Sequence, residues 1–210
     1  MRLLAYDTSG DVLSAALAED GRIITQLESS AGSRHSDELV PMLEKLLRRA
    51  RWKPESLGLL AVGVGPGSFT GLRVGVAAAK MLALVWDKKL AGVPSLEALA
   101  YEMKGTRLPA GQAGIPIAVD ARRGKIYAAL YERKGEELKE IFAPALSTLE
   151  EFSKIAGQEV NVLERAHINA ASVARAGWAR ARSRRTQSAG SLEALYLHPK
   201  DCNVTIKNKK

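Results

Sequence analysis

The sequence predicts an α/β protein built from two related domains. One observation is an apolar run that ends in a glycine-rich turn and continues as a long helical pattern, which is typical of a strand followed by a helix (Leu59–Gly65, Thr70–Trp86). The other is an internal repeat, in which five identities recur at a constant offset of 113 residues: Asp7, Ala15-Ala16-Leu17 and Glu19 match Asp120, Ala128-Ala129-Leu130 and Glu132. Such a match within a hairpin-length window favours a duplicated domain.

The elements of the first half follow from periodicity and turn residues. Asp20-Gly21 is a strong hairpin signal between the second and third strands. Ser36 is the expected N-cap of the first helix, whose apolar positions cover an arc of about 160°, wider than one packing seam needs. The predicted elements are strands Arg2–Asp7, Val12–Glu19 and Arg22–Ser29, helix Ser36–Ala50, strand Leu59–Gly65, helix Thr70–Trp86, strand Leu90–Val93 and a helix from about Leu96.

The second half begins as the first does and then diverges. The predicted elements after the hairpin at Asp120 are a helix near Thr148–Ala156, a strand around Val160–Leu163, a helix from about Ile168 to Arg182 and a segment at Ala194–Leu197. The stretch Thr106–Gly114 reads as a linker because it contains a proline and two glycines. We therefore expect domains at 1–105 and 106–210, the second of them reduced because it lacks a glycine-rich turn.

The long helix carries a stripe of small residues. Gly71, Gly75, Ala79 and Ala83 recur every fourth position and share one face. Glycines inside a helix cost roughly 1 kcal/mol each relative to alanine, and a close contact would offset that cost. The spacing leaves two alternatives open, a contact with the chain's own neighbouring helix or one with another protein.

Composition points to a protein of a reducing compartment. The chain has 210 residues, of which 46% are hydrophobic and 26% charged. Its start lacks an apolar stretch long enough for a signal peptide, and the longest apolar pattern, Val74–Trp86, is too short to span a bilayer. The single cysteine, Cys202, excludes an internal disulfide. We expect a cytoplasmic protein without a membrane partner.

Basic residues raise the question of nucleic-acid binding. The net charge is +8, and five arginines crowd one late segment: Arg175, Arg180, Arg182, Arg184 and Arg185. Such a cluster, together with the basic tail, can follow phosphates. Few aromatic residues accompany it, so stacking on bases has no support. A solvated helix face is the favoured interpretation.

The sequence supports neither a phosphate loop nor a nucleophile of a known pattern. No Lys-Ser or Lys-Thr follows the glycine-rich turn, and its glycines do not have the spacing of a dinucleotide-binding loop. Ser68 lies in Gly67-Ser68-Phe69, which is not a nucleophile elbow, and Cys202 lies in a polar tail.

Five stretches, spread over almost the whole chain, resemble one family. They are Asp7-Thr8-Ser9, His35-Ser36-Asp37-Glu38-Leu39-Val40-Pro41, the run from Gly65 to Gly75, Val119-Asp120-Ala121-Arg122-Arg123 and Leu195-Tyr196-Leu197. They are similar to the TsaB (YeaZ) family of the tRNA threonylcarbamoyladenosine machinery, within the actin-like ATPase superfamily. The resemblance is weakest between about Gly157 and Gly190. It implies two tandem actin-like (ribonuclease H-like) domains, each a mixed sheet that opens with an antiparallel hairpin and is flanked by helices.

The resemblance implies a non-catalytic scaffold or activator subunit. Its expected partners are a TsaD-like catalytic subunit, a TsaE-like ATPase near their junction, and tRNA through the assembled complex. In the family, helices corresponding to Ser36–Ala50 and Thr70–Trp86 pair with their counterparts in the partner. The expected interface residues are Leu39, Met42, Leu43, Leu46, Gly71, Val74, Gly75, Ala78, Ala79 and Leu82. Bulk at Gly75 is then expected to weaken binding more than folding, and an exposed apolar helix face makes a homodimer plausible in isolation.

An actin-like ATPase or kinase is the first alternative. Asp7, Thr8 and Ser9 stand where the superfamily's first phosphate hairpin holds metal and phosphate, so weak ATP or ADP binding is expected there at most. Arg122-Arg123 follows Asp120 in place of the small residues that let phosphate approach the backbone. We expect that no cofactor is required, and Asp7 has the simpler interpretation of capping a turn.

A metalloprotease is the second alternative, and its residues are missing. The catalytic relatives hold a metal with two histidines one helical turn apart, and Ser95 and Leu99 stand at the corresponding positions. Leucine cannot bind a metal, and His35, His167 and His198 form no pair at ligand spacing. The sequence therefore predicts no catalytic residue and no metal ligand.

Overall fold

The computed structural model describes residues 1–30, 34–103, 114–135 and 137–197. Within these ranges the strands and helices alternate in two groups, one in each half of the chain. The elements are β1 (Arg2–Asp7), β2 (Ser14–Glu19), β3 (Arg22–Glu28), α1 (His35–Ala50), β4 (Leu57–Gly65), α2 (Phe69–Trp86), β5 (Lys89–Pro94), α3 (Ser95–Glu102), β6 (Ile115–Asp120), β7 (Ile126–Lys134), β8 (Glu137–Ser147), α4 (Leu149–Ala156), β9 (Val162–Leu163) and α5 (Ala170–Arg182), with a 3₁₀ turn at Pro54–Ser56.

The strands form two mixed sheets of similar plan. The first has the order β3-β2-β1-β4-β5 and the second the order β8-β7-β6-β9. In each, an antiparallel hairpin comes first and a parallel strand joins its opening strand, β4 beside β1 and β9 beside β6. The mixed α/β architecture expected from the sequence is confirmed. The domain boundary at residue 105 and the reduced state of the second domain stay predictions.

The two hairpins share the geometry of their first turn. The backbone N–H of Ser9 donates to Asp7 Oδ1 at 2.7 Å, and the N–H of Arg122 donates to Asp120 Oδ1 at 2.8 Å. An aspartate that accepts from the residue two positions on forms an Asx turn, which reverses the chain after a strand. The copies differ in loop length, since Asp7 pairs with Ser14 whereas Asp120 pairs with Ile126, one residue sooner.

Helices cover both faces of the first sheet. Alternate residues of a strand face opposite sides, so Leu4 and Leu60 pack with α1 and α2 while Leu3 and Leu59 pack with α3 and α5. α5 approaches the sheet closely, because a Cβ added at Gly177 would lie 2.5 Å from the Cβ of Ala61. Although α5 belongs to the second half of the sequence, its apolar face is buried against the first sheet.

The chain after α5 returns to the free edge of the first sheet. Leu90 and Gln187 exchange backbone hydrogen bonds of 3.0 and 2.7 Å, and Leu195 N–H donates to the carbonyl of Val64 at 2.7 Å. Leu192 between them is fully buried in the core beneath α1 and α2. This C-terminal segment therefore pairs with the edge strand β5 at Leu90 and with β4 at Val64.

The element types agree with the sequence, and the differences lie at the ends. Ser36 is not the N-cap of α1: the helix begins at His35 after Arg34, and the Ser36 hydroxyl donates to Asp37 at 2.9 Å. α2 begins at Phe69, one residue earlier than expected, because Ser68 caps it. α5 begins at Ala170 after the cap Asn169, and β2 begins at Ser14. The predicted linker, apart from Gly114, lies outside the described residues, as do His198, Cys202 and the C-terminal lysines.

α2 is longer than the apolar pattern suggested. It has 18 residues with a mean hydropathy of 1.4, which is long and apolar enough to cross a bilayer by length and composition, and no other helix in the described ranges meets that test. Only 33% of this stretch is buried. One side of α2 packs on the sheet, and the other side is an exposed apolar surface described below.

Candidate functional site

The predicted phosphate residues lie together in a closed environment. Asp7 and Thr8 are fully buried and Ser9 is 5% exposed. The hydroxyl of Thr8 donates to the carbonyl of Gly71 at 2.8 Å, and the hydroxyl of Ser9 donates to Asp7 Oδ1 at 2.7 Å. Both hydroxyls that were expected to donate to a phosphate therefore already have partners within the chain.

Glycines of the glycine-rich turn close over this segment. A Cβ added at Gly63 would lie 1.7 Å from Asp7 Oδ2, and one at Gly71 would lie 1.9 Å from the carbonyl oxygen of Thr8. At Gly75 it would lie 2.2 Å from the hydroxyl oxygen of Thr8. The first hairpin lies in contact with the backbone of α2. Glycine is required at these positions because a side chain there would occupy the space that the hairpin fills.

The carboxyl group of Asp7 lies away from solvent. Its Oδ2 has no hydrogen-bond partner among the described residues. Burial raises its pKa from 3.8 to about 6, and the two bonds from Ser9 oppose that change, with smaller opposition from the charges of His35 and His167. The geometry is that of an aspartate that caps a buried turn. This geometry does not test whether a nucleotide binds weakly at the turn, so weak nucleotide binding stays a prediction.

The positions expected for a metal pair have other roles. Ser95 is 2% exposed, and its hydroxyl lies 3.2 Å from that of Ser9. Leu99 packs in the core shared with α5. His167 Nε2 lies 3.0 Å from a carboxylate oxygen of Glu28. Across the described part of the chain, no three His, Cys, Asp or Glu side chains are grouped so that they could hold a metal ion.

The outer side of α2 is an apolar surface that no element of the described residues covers. Met81, Leu84 and Val85 expose 61%, 69% and 72% of their surface. At 100° per residue they fall on one side of the helix, opposite the buried glycines. We call this side the α2 face; it comprises Thr70, Arg73, Val74, Ala77, Ala78, Met81, Leu84 and Val85, all exposed or half-buried.

The structure exposes part of only four of the ten predicted interface residues, of which Val74 and Ala78 lie on the α2 face. Four are half-buried: Met42, Val74, Ala78 and Leu82. Six are buried within the chain: Leu39, Leu43, Leu46, Gly71, Gly75 and Ala79. The interpretation that a foreign helix packs on the small-residue stripe is wrong, because the chain's own Thr8 occupies the space beside it.

Sequence reasoning missed the residues that are most exposed. Ala77, Met81, Leu84 and Val85 were not among those predicted, although the signal was present. α2 is apolar on all sides, whereas a helix that packs on one sheet needs a single apolar stripe. The additional apolar side indicates a second contact. The prediction placed that contact on the side of the small residues, which is buried within the chain.

An aromatic cluster borders the α2 face at its N-terminal end. Phe69 lies 5.1 Å from the ring of Tyr196, measured between centroids, and the rings are tilted by 46°. The guanidinium carbon of Arg73 lies 4.0 Å from the centroid of Phe69, within cation–π distance. The C-terminal segment thereby extends this surface beyond the helix itself.

The basic segment of α5 divides into a structural arginine and exposed ones. Arg180 pairs with Glu97 of α3, with Nε 3.2 Å from each carboxylate oxygen, and both side chains are largely buried. Arg175, Arg182, Arg184 and Arg185 are exposed. The predicted solvated basic face therefore excludes Arg180, because its charge neutralises a buried carboxylate.

Comparison with known proteins matches the TsaD family model and curated relatives named either TsaB or tRNA N6-adenosine threonylcarbamoyltransferase. The model of the family TsaD, tRNA N6-adenosine threonylcarbamoyltransferase, matches residues 27–187. The tRNA threonylcarbamoyladenosine biosynthesis protein TsaB of Escherichia coli (strain K12) is 33% identical over 168 residues, which are 77% of this chain and 71% of that protein. TsaB of Bacillus subtilis (strain 168) is 36% identical over 141 residues, 67% of this chain and 59% of that protein. The structure of YeaZ from Pseudomonas aeruginosa has the same fold, with a TM-score of 0.79 and 22% identity over 93% of this chain and 99% of that one.

Proposed function

The chain belongs to the TsaB family of tRNA threonylcarbamoyladenosine biosynthesis proteins, and on that premise we propose that it serves this pathway as a scaffold or activator subunit without chemistry of its own. Its role in the pathway is that of TsaB. The partner in this proposal is a TsaD-like catalytic subunit. A TsaE-like ATPase docks near their junction, and tRNA is reached through the assembled complex in the cytoplasm.

The α2 face is the observation that carries the proposal. Met81, Leu84 and Val85 leave most of their apolar surface in water. Full burial of such a side chain is worth about 1.5 to 3 kcal/mol, so covering these three contributes several kcal/mol to an association. Contiguous exposed apolar surface is typical of protein–protein interaction sites. The same face accounts for a homodimer of the isolated chain, since a second copy would cover it when the catalytic subunit is absent.

The closed first hairpin supports a non-catalytic role. Asp7 is sealed behind the glycine-rich turn, and the hydroxyls of Thr8 and Ser9 are engaged within the chain. Ser95 and Leu99 stand where catalytic relatives place two histidines, and neither a hydroxyl committed to Ser9 nor a leucine replaces an imidazole ligand. The proposed scaffold requires no cofactor, and ATP or ADP binding at Asp7–Ser9 would require this turn to open.

Co-purification with the catalytic subunit tests the proposed surface. A variant with Leu84→Glu and Val85→Glu places two charges on the α2 face, and we expect it to capture the TsaD-like subunit at least tenfold less well than the unaltered chain. Ile155→Glu combined with Ile141→Glu is the matched control, because these side chains expose 49% and 50% of their surface and lie outside the proposed interface.

The melting temperatures of both variants should stay near that of the unaltered chain, since the altered side chains are already exposed. Capture of the catalytic subunit by the double variant at full strength would contradict the proposal. Equal loss of capture in the control variant would contradict it as well.

A further inference from the structure

A cavity lined in part by charged side chains lies where the two halves of the chain meet. Its volume is about 700 Å³. The walls come from the β2–β3 turn, the end of α3, the start of β8 and one side of α5, and they include Arg22, Tyr101, Glu137, Arg175, Trp178 and Arg182. No step of the proposed scaffold role uses this cavity.

Three arginines of the cavity are exposed and available. Arg22, Arg175 and Arg182 form no ion pair with any residue in the described ranges. Arg175 and Arg182 are seven residues apart on α5, so they share a side of the helix and stand about 10 Å apart along it. Arg22 faces them from the other wall, and the indole of Trp178 lies between, against the turn at Gly21.

The carboxylates of the cavity are partly committed to other groups. Asp20 pairs with the amino group of Met1, and Glu137 accepts a hydrogen bond from the Ser183 hydroxyl at 3.2 Å. Glu102 is the third carboxylate of the lining. Arg185 lines an adjacent depression that shares Glu137 with the cavity, and Arg184 beside it in the sequence is exposed. Because Asp20 is neutralised by the Met1 amino group, the three guanidinium groups of the lining face two carboxylates, and one positive charge remains in excess.

The cavity and the α2 face lie on opposite sides of the first sheet. α5 packs with Leu3 and Leu59, whereas α2 packs on the side of Leu4 and Leu60. A protein that covers the α2 face consequently leaves the cavity accessible. The two surfaces can serve different partners at the same time.

We propose that this arginine cavity is a contact site for the phosphate backbone of RNA. Guanidinium groups bind phosphate oxygens through paired hydrogen bonds, and three of them spaced along a wall suit successive phosphates better than one small anion. The choice of RNA as the polyanion rests on the proposed function in tRNA modification. This contact increases the affinity for RNA and orients the RNA, whereas other parts of the complex recognise the nucleotide sequence.

The salt dependence of tRNA binding tests the inference. The probe is a fluorescently labelled tRNA transcript, titrated against the chain alone and against its complex with the TsaD-like subunit. The variant carries Arg22→Gln, Arg175→Gln and Arg182→Gln; Arg180 is left intact because it pairs with Glu97. We expect at least a tenfold loss of affinity at low salt. The slope of log affinity against log salt should fall by about 2 to 3, since each phosphate contact contributes roughly 0.7 to 0.9.

A second triple variant controls for net charge. Arg122→Gln, Arg123→Gln and Lys125→Gln remove the same charge from exposed side chains of the β6–β7 turn. Full affinity in the cavity variant would overturn the inference, and so would an equal loss in the control. Loss of ATP binding with unchanged tRNA binding would assign the cavity to a small nucleotide and overturn it too.

Capture of the TsaD-like subunit is measured on the same samples, so the two proposals fail separately. If the unaltered chain captures the subunit but the three arginines have no effect on tRNA, only this inference fails. If tRNA binding depends on the three arginines but no subunit is captured, the scaffold proposal fails alone.

Discussion

Asp7 shows how a residue that suggests ligand chemistry can instead hold a turn together. It ends a strand and precedes two hydroxyl residues, which is why the sequence indicates a phosphate site. In the folded chain its Oδ1 accepts from the N–H and the hydroxyl of Ser9, and its Oδ2 is buried against Gly63. The equivalent Asp120 forms the same turn but is exposed. The turn is common to both hairpins, and burial distinguishes the first.

The buried carboxyl of Asp7 contributes a pH-dependent part to the stability of the chain, and the change given below is that contribution alone. Burial raises its pKa from 3.8 to about 6. Between these values the folded chain holds a proton that the unfolded chain has released, so the free energy of unfolding falls as pH rises from about 4 to about 6, by about 3 kcal/mol, and is constant above. Asp7→Asn keeps an oxygen for Ser9 and cannot ionise, so this slope should disappear. Urea unfolding at several pH values measures both proteins, and parallel curves would contradict the assignment.

Sequence reasoning identified the residues of the first hairpin but not their surroundings. The Asp7–Ser9 segment and the glycines at 63, 71 and 75 were recognised as separate motifs. The structure joins them, because each of these glycines leaves space that Asp7 or Thr8 fills. A sequence shows where a Cβ is missing. It does not show which atom, from a residue more than fifty positions away, uses the space.

α2 illustrates the same limit for a whole element. Periodicity predicted its position and the side that carries small residues, and both were confirmed. The side that packs against the rest of the chain could not be told from the side that remains exposed, since both are apolar. The caps were predicted less well than the helices, because a cap depends on one local hydrogen bond, as at Ser68 and Ser36.

Substitution at Gly75 tests the packing of α2 on the first hairpin. A Cβ there would lie 2.2 Å from the hydroxyl oxygen of Thr8, and Tyr6 donates to the carbonyl of Gly75 at 2.8 Å. We expect Gly75→Leu to cost about 3 kcal/mol of stability or more, whereas the sequence-based expectation was that bulk here weakens binding more than folding. Gly75→Ala should cost roughly 1 to 3 kcal/mol although alanine favours a helix.

Thermal or urea unfolding of the isolated chain measures these losses. Ala77→Leu is the control, since Ala77 lies on the exposed side of the same helix and should change stability by less than about 0.5 kcal/mol. If Gly75→Ala unfolded like the unaltered chain, the small-residue side would not be the packed side.

At the scale of the whole molecule, the first sheet separates two surfaces of different chemistry. The α2 face on one side is apolar, and the cavity on the other is lined by three arginines without ion-pair partners among the described residues and by three carboxylates. The repeat at Asp7 and Asp120 predicted the two hairpins, and the family resemblance implied the mixed sheets. It did not predict that α5 and the segment from Gln187 to Leu195 return to the first sheet, because the apolar pattern of an element identifies the side that is buried and not the sheet that buries it.

Reconstituted synthesis of threonylcarbamoyladenosine on tRNA tests the central claim most directly. The TsaD-like subunit, the other components of the pathway and a tRNA transcript are combined with increasing amounts of this chain, and product is quantified. We expect the amount of modified tRNA to rise until the concentration of this chain equals that of the catalytic subunit. The folded Leu84→Glu, Val85→Glu variant should give little product. No product should form when this chain replaces the catalytic subunit. Full activity with the double variant, or product from this chain in place of the catalytic subunit, would contradict the account.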